Sequence, residues 1–138
     1  MQLSKILSLF TLATAASATT VSYDTGYDDG NRSLTVVSCS DGSNGLMTKY
    51  HWNFQSQITN FPYVGGVEAV AGWNSPSCGT CWSVTYNGKT INILAIDHAG
   101  SGINMSKEAM DALTGGNAEQ FGRVDAVVAS VPLSACGL

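Results

Sequence analysis

Short apolar runs, broken every few residues by Gly, Asp, Asn and Ser, set the pattern of this chain. Residues 20–23 and the β-branched run from Leu34 to Cys39 predict strands. Between them, Asp24 to Asn31 is rich in Asp and Gly and predicts a loop. Asp41-Gly42 and Asn44-Gly45 mark tight turns, and residues 47–58 have room for a short helical turn. Asn60 to Gly66 carries Pro62 and a Gly pair, which predicts a loop. Residues 67–72 follow as a strand, and Trp73 to Thr80 as another loop. The clearest local signal is a hairpin, in which Trp82–Tyr86 and Thr90–Ile96 flank Asn87-Gly88, a type I′ turn signature. In its second strand Ile91, Ile93 and Ala95 alternate with Asn92 and Leu94, so one face is fully buried and the other partly. Residues 106–114 predict a helix capped by Ser106 or Asn104, with Glu108 near its positive end and Gly115-Gly116 as its stop. A second helical turn fits 117–121. Residues 122–131 predict a closing strand, with Val124, Ala126 and Val128 on one face and Val127 and Val131 on the other.

About six short strands with one or two small helices make a mainly β domain, closed or nearly closed into a barrel. The pattern alone does not separate a barrel from a sandwich. A length of 138 residues fits one domain with a leader. Residues 1–18 have the features of a secretory signal peptide: Lys5, an apolar core over Ile6, Leu7, Leu9, Phe10, Leu12 and Ala13, and a small-residue site at Ala16-Ser17-Ala18. The domain is then 19–138, and the protein is expected outside the cell. The apolar run falls short of the roughly 20 residues of a membrane span, so no membrane partner is expected. Six basic residues against 10 acidic ones leave a net charge of −4, which speaks against a nucleic-acid partner. The 12% of charged residues and the many glycines exclude a coiled coil, and the 44% of hydrophobic residues support a core rather than disorder.

Secretion changes how the cysteines read. Cys39, Cys78, Cys81 and Cys136 are even in number, and an oxidising compartment joins them into two disulfides. Three pairings are open. Cys39–Cys78 with Cys81–Cys136 is the favoured one; both bonds close long loops, and each would contribute about 2–4 kcal/mol. Cys78-x-x-Cys81 lacks the βαβ surroundings of a redox motif. A single such pair, with only His51 and His98 in the chain, is a poor zinc set, so neither metal nor cofactor is expected. Asn31 and Asn104 each begin an Asn-x-Ser sequon and are candidate glycan sites.

Two clusters could carry chemistry. Asp97 ends an apolar strand, is followed by His98, and leads into a Gly-rich loop, the place where a barrel rim presents side chains. Its bland alternative is a structural aspartate accepting loop N–H groups. The second cluster, Tyr23 to Asp29, interleaves aromatic and acidic residues, which suits sugar recognition: rings stack on apolar sugar faces and carboxylates accept from hydroxyls. Calcium binding lacks the EF-hand spacing. No Gly-x-Ser-x-Gly elbow is present. Glycoside hydrolysis needs two flanking carboxyl groups. Asp97 is a candidate for one, and no spacing singles out the other among Asp24, Asp28, Asp29, Asp41 and Asp125.

Taken in order, the motifs Val21-Ser-Tyr-Asp-Thr-Gly-Tyr-Asp-Asp29, Cys39-Ser-Asp-Gly-Ser-Asn-Gly-Leu46, Gly72-Trp-Asn-Ser75, Cys78-Gly-Thr-Cys-Trp82, Ala95-Ile-Asp-His98, Leu113-Thr-Gly-Gly-Asn117, Gly122-Arg-Val-Asp-Ala126 and Cys136-Gly-Leu138 resemble the cerato-platanins, small secreted proteins of filamentous fungi. The match spans the mature chain. It implies a six-stranded double-psi β-barrel related to the first domain of expansins, with the disulfides Cys39–Cys78 and Cys81–Cys136. It also implies a protein of the extracellular space and fungal cell wall that is no established enzyme. Such proteins bind chitin-type N-acetylglucosamine oligomers, in some cases loosen cellulosic material, and act as elicitors of plant defence, virulence factors or allergens, with a plant receptor as a further partner. Asp97 resembles the acidic residue that expansins and related cellulases keep in the barrel groove. Here, however, His98 follows it, and the second cellulase carboxylate has no counterpart. The expected carbohydrate-binding residues are Tyr27, Asp28, Asp97 and His98. The alternatives are a weak glycoside hydrolase or expansin-like wall-modifying protein using Asp97, and a surface-active coat protein with a large exposed apolar patch.

Overall fold

The structure, a computed structural model, describes residues 16–138. Strand β4 (Lys89–His98) is its spine: Ile91 and every residue from Ile93 to Ile96 are buried. Asn87 and Gly88 both take positive φ, as the I′ turn requires, and return the chain from β3 (Cys81–Tyr86) antiparallel to β4. On its other side β4 pairs in parallel with β2 (Val64–Val67). β2 runs antiparallel to β5 (Ile103–Met105), which lies parallel to β1 (Ala16–Tyr23). β6 (Arg123–Val131) pairs antiparallel with both β1 and β3 and closes the barrel in the order β1-β5-β2-β4-β3-β6. Closure decides between barrel and sandwich, and it leaves no free edge to pair with another chain.

Three short helices lie among the described residues, one more than the upper expectation: α1 (Leu46–Tyr50), α2 (Lys107–Thr114) and α3 (Ala118–Phe121). Ser106, not Asn104, caps α2, its hydroxyl accepting from Ala109 N–H at 3.1 Å. Ala16, Ser17 and Ala18, the expected cleavage site, form the exposed start of β1 opposite Val127–Ala129. The rest of the expected leader lies outside the described residues.

Three sequence expectations are corrected. The run Leu34 to Cys39 is not a strand. Leu34–Val36 is a 3-10 turn capped by the Ser33 hydroxyl, which accepts from Thr35 N–H. Leu34 and Val37 are buried while Thr35 and Val36 are exposed, a spacing of three that matches the 3-10 repeat rather than strand alternation. The second correction moves a strand: β2 is Val64–Val67, inside the expected loop, and residues 68–72 are not strand. The third adds β5, a three-residue strand beyond the Gly-rich loop that carried no signal of its own.

The Gly pair is what makes β2 a strand here. A Cβ on Gly65 would lie 2.3 Å from the Asn104 carbonyl oxygen, and one on Gly66 would lie 2.6 Å from that of His98. Only a bare backbone fits between β4 and β5 at this height, and the register with β4 shifts at the same point. The disulfides Cys39–Cys78 and Cys81–Cys136, with sequence separations of 39 and 55, fix the irregular segments to this frame. The first ties the 3-10 segment to the loop before β3, and the second ties β3 to the C-terminus.

Asp28 fixes α2. Its Oδ2 accepts from Lys107 N–H at 2.7 Å and its Oδ1 from Glu108 N–H at 2.9 Å. With Ser106 taking Ala109, the first three orphan donors of the helix are satisfied, and a negative charge sits at the positive end of its dipole.

Asp28→Ala is therefore expected to lower stability by about 1–3 kcal/mol, with Asp28→Asn losing less because one acceptor oxygen remains; thermal melting checks the order. Gly66→Ala is expected to cost about 3 kcal/mol or more, because the obstructing atom is backbone. Gly72→Ala, with nothing within 4 Å of the added Cβ, should be neutral in the same melting experiment.

Candidate functional site

At the C-terminal end of β4 the chain leaves the barrel with Asp97 half-buried at the rim. Asp97 Oδ1 accepts from two backbone N–H groups, Ser38 and His98, each at 2.9 Å. Oδ2 accepts from the Tyr27 hydroxyl at 2.8 Å. The structural and functional expectations for Asp97 thus meet in one group. Three of its four acceptor positions hold the loop in place, and one on Oδ2 is left for a ligand.

The other expected residues separate. Tyr27 is brought to Asp97, but it is 4% exposed and the Arg32 guanidinium lies 5.3 Å from its ring centroid. Its ring is therefore not offered for stacking on a sugar, and Tyr27 is a positioning residue for Asp97. Burial, reinforced by the Asp97 carboxylate, holds its hydroxyl above the ordinary tyrosine range, so it stays a donor. Asp28 faces the N-terminus of α2 and spends both oxygens there. His98 is exposed, its backbone N–H donates to Asp97, and its Nδ1 lies 2.6 Å from the Val70 carbonyl oxygen, which fixes the ring. Asn31 is exposed on its loop, whereas Asn104 is half-buried in β5.

Beside His98 a polar cleft of about 520 Å³ opens over the barrel wall. It is lined by Ser22 and Tyr23 of β1, Asn104 of β5, Arg123 of β6 and the loop His98–Ser101. The parallel register of β1 on β5 sets Ser22 opposite Asn104, and the Ser22 hydroxyl donates to Asn104 Oδ1 at 3.1 Å. Arg123 Nη1 donates to the Thr20 hydroxyl at 2.8 Å. A phenol, an amide, a guanidinium and an imidazole on an open floor are hydrogen-bonding groups, of which the guanidinium is the one permanent charge. They suit a ligand rich in hydroxyls rather than an ion.

Sequence reasoning named Tyr23 in its aromatic and acidic cluster but did not assign Ser22, Asn104 or Arg123 to a site. They converge only through the pairing of β1 with β5 and β6, which no local pattern encodes. Asn104 was visible only as a sequon and as a helix-cap candidate.

The candidates for a second catalytic carboxylate are mostly engaged elsewhere. Asp24 accepts from Gly26 N–H, Asp29 from Asn31 N–H, and Asp41 from the Trp73 indole. Among the described residues no group of three or more His, Cys, Asp or Glu could hold a metal ion, and no helix is long and apolar enough to cross a membrane.

Comparison with known proteins agrees with this fold. The family model described as cerato-platanin matches residues 19–138. The chain is 40% identical over 131 residues to the cerato-platanin of Ceratocystis fimbriata f. sp. platani, covering 94% of each. It is 52% identical over 130 residues to a heat-stable 19 kDa antigen of Coccidioides immitis, covering 94% of this chain and 88% of the antigen. An allergen of Aspergillus fumigatus is 44% identical over 116 residues, which are 84% of this chain and 75% of the allergen. Among solved structures, cerato-platanin 3 of M. perniciosa superimposes with a TM-score of 0.84 at 42% identity, covering 88% of this chain and all of that one. The solution structure of the fungal elicitor cerato-platanin gives 0.75 at 43% identity, covering 85% and 95%. These relatives are named as an antigen, an allergen and an elicitor, and the chain belongs to the cerato-platanin family.

Proposed function

We propose that this protein is a secreted, non-catalytic component of the fungal wall that binds polysaccharide, in the first place chitin-type N-acetylglucosamine oligomers, and is perceived by plants as an elicitor. The observation that carries this reading is the open polar cleft of Tyr23, Asn104, Arg123 and His98 beside an aspartate already committed to holding its loop. Hydroxyl and acetamido groups find donors and acceptors there, and the cleft is open to solvent. Two disulfides suit an oxidising exterior. Asp97 as a general acid would have to exchange a proton while accepting from two amides and a phenol, and Asp24, Asp28, Asp29 and Asp41 are each engaged in a hydrogen bond of their own. This favours binding over hydrolysis, and binding without cleavage is also what loosening of cellulosic material would require.

Titration of the mature protein with chitohexaose, followed residue by residue by NMR, should move the signals of Tyr23, His98, Asn104 and Arg123 together. A parallel reducing-end assay should stay at the blank. Arg123→Ala should weaken binding by about three- to tenfold for a lost charged hydrogen bond, with melting unchanged. Reducing ends that appear with the wild type and vanish with Asp97→Asn would establish the hydrolase alternative instead.

Tyr27 gives a pH test of the rim. Unfolded tyrosine ionises near its ordinary value of 10.0, whereas the folded hydroxyl holds its proton to higher pH. The folded state therefore binds more protons above about pH 10, and stability falls as pH rises past that point. Below it the contribution is complete. Denaturant titrations from pH 7 to 11 should show this alkaline loss in the wild type and a smaller one in Tyr27→Phe. The variant should also lose about 1–3 kcal/mol at pH 7.

A further inference from the structure

Trp73 is 62% exposed, the highest value among the large apolar side chains of the described residues. A single exposed apolar residue is ordinary; an exposed indole held rigid is not. The Trp73 Nε1–H donates to Asp41 Oδ1 at 2.7 Å. Its ring edge passes over Gly42, where a Cβ would lie 3.0 Å from Trp73 Cζ2 and 2.7 Å from Asn74 Oδ1. Gly42 has φ +82, so both the space and the backbone conformation call for glycine. Asn74 sits at φ 60, in the left-handed region that a non-glycine residue enters at a cost. Its side-chain Oδ1 accepts from Asn44 N–H at 2.9 Å, and its backbone carbonyl accepts from Asn44 Nδ2 at 3.0 Å. The Cys39–Cys78 bond joins the two loops at their base. A glycine, a strained asparagine that accepts twice from Asn44, and a disulfide thus converge on presenting one indole to solvent.

The surroundings say what such a face would take. The residues that hold the ring in place, Asp41 and the neighbouring Asn74 with its partner Asn44, are polar. Among the described residues Asp41 Oδ2 and Asn74 Nδ2 have no hydrogen-bond partner, which leaves one acceptor and one donor beside the ring. A β-linked pyranose has this complementarity: axial C–H groups on a flat face, and equatorial hydroxyls that both donate and accept.

We propose that Trp73, with Asp41 and Asn74, forms a second glycan subsite that shares no residue with the rim cleft. It binds the face of one pyranose ring, and the rigid presentation removes the ordering cost that a free side chain would incur. The proposal takes its ligand class from the polysaccharide function above, but its residues are independent of that cleft.

The test is an NMR titration of the mature protein with chitohexaose and with cellohexaose, reading the indole N–H signals of Trp52, Trp73 and Trp82. A saturable shift of the Trp73 indole with at least one oligomer is expected. Trp73→Ala should bind about tenfold more weakly at unchanged melting temperature, and Trp73→Tyr should recover most of the loss. If the cleft signals of His98 and Asn104 move while the Trp73 indole stays still, this subsite is overturned and the cleft stands. If Trp73 alone responds, the subsite stands and the cleft does not. If neither responds to either oligomer, both are overturned. A Trp73→Ala variant that melts earlier yet binds with the wild-type Kd marks the indole as a structural prop and also overturns the proposal.

Discussion

The Asp97 carboxylate is the contact on which the rim depends. It lies near the end of β4 and accepts at once from Ser38 on the covering segment, from His98 at the end of the strand and from Tyr27 on the first loop. A barrel of this size leaves much of its chain outside strands and helices, and each loop N–H that turns inward needs an acceptor. In this molecule aspartates supply many of them. Asp28 serves α2, Asp111 serves α3 through Ala118 N–H, and Asp24 and Asp29 close their own turns. The acidic balance of the chain is thus largely a set of backbone acceptors rather than a field for steering charged partners.

That arrangement explains why the acidic loop is not where the open hydrogen-bonding groups converge. A carboxylate already holding two N–H groups gains little from a sugar hydroxyl, and a buried phenol cannot stack. The groups left open are the ones on strand faces and on pinned loops: Tyr23, Asn104, Arg123 and His98 around the cleft, and Trp73 on its own platform. Anchoring and exposure to solvent are divided between neighbouring residues. Tyr27 orients while Tyr23 is presented, and Asp97 holds the loop on which His98 is offered.

Much of the fold was legible. The β3–β4 hairpin followed from Asn87-Gly88, helix α2 from Ser106 and Gly115, and β6 from its alternating valines. The cysteine pairing matched the family resemblance. The failures share one physical cause, namely packing that overrides local propensity. Gly65 and Gly66 read as loop, yet they are strand because the neighbouring backbones leave no room for a side chain. Leu34 to Val37 read as strand, yet a capped 3-10 turn buries the two residues that need burial. At the site, the place of Asp97 at the barrel rim and its alternative role as an acceptor of loop N–H groups were visible in advance. The cleft was not, because Ser22, Asn104 and Arg123 lie 82 and 19 positions apart in sequence and meet only through strand register. The role of Asp28 was equally hidden, since its partners lie 79 and 80 residues away.

Amide hydrogen exchange on Asp97→Asn, compared with the wild type, tests the central claim most directly. If one carboxylate ties three segments together, protection of the Ser38 and His98 amides should fall in concert, while the amides of Ile93 and Ala95 inside β4 keep their wild-type rates. Unchanged protection at Ser38 and His98, or a uniform loss through the whole barrel, would contradict the account: the first would remove Asp97 from its role at the rim, and the second would make it a determinant of the core.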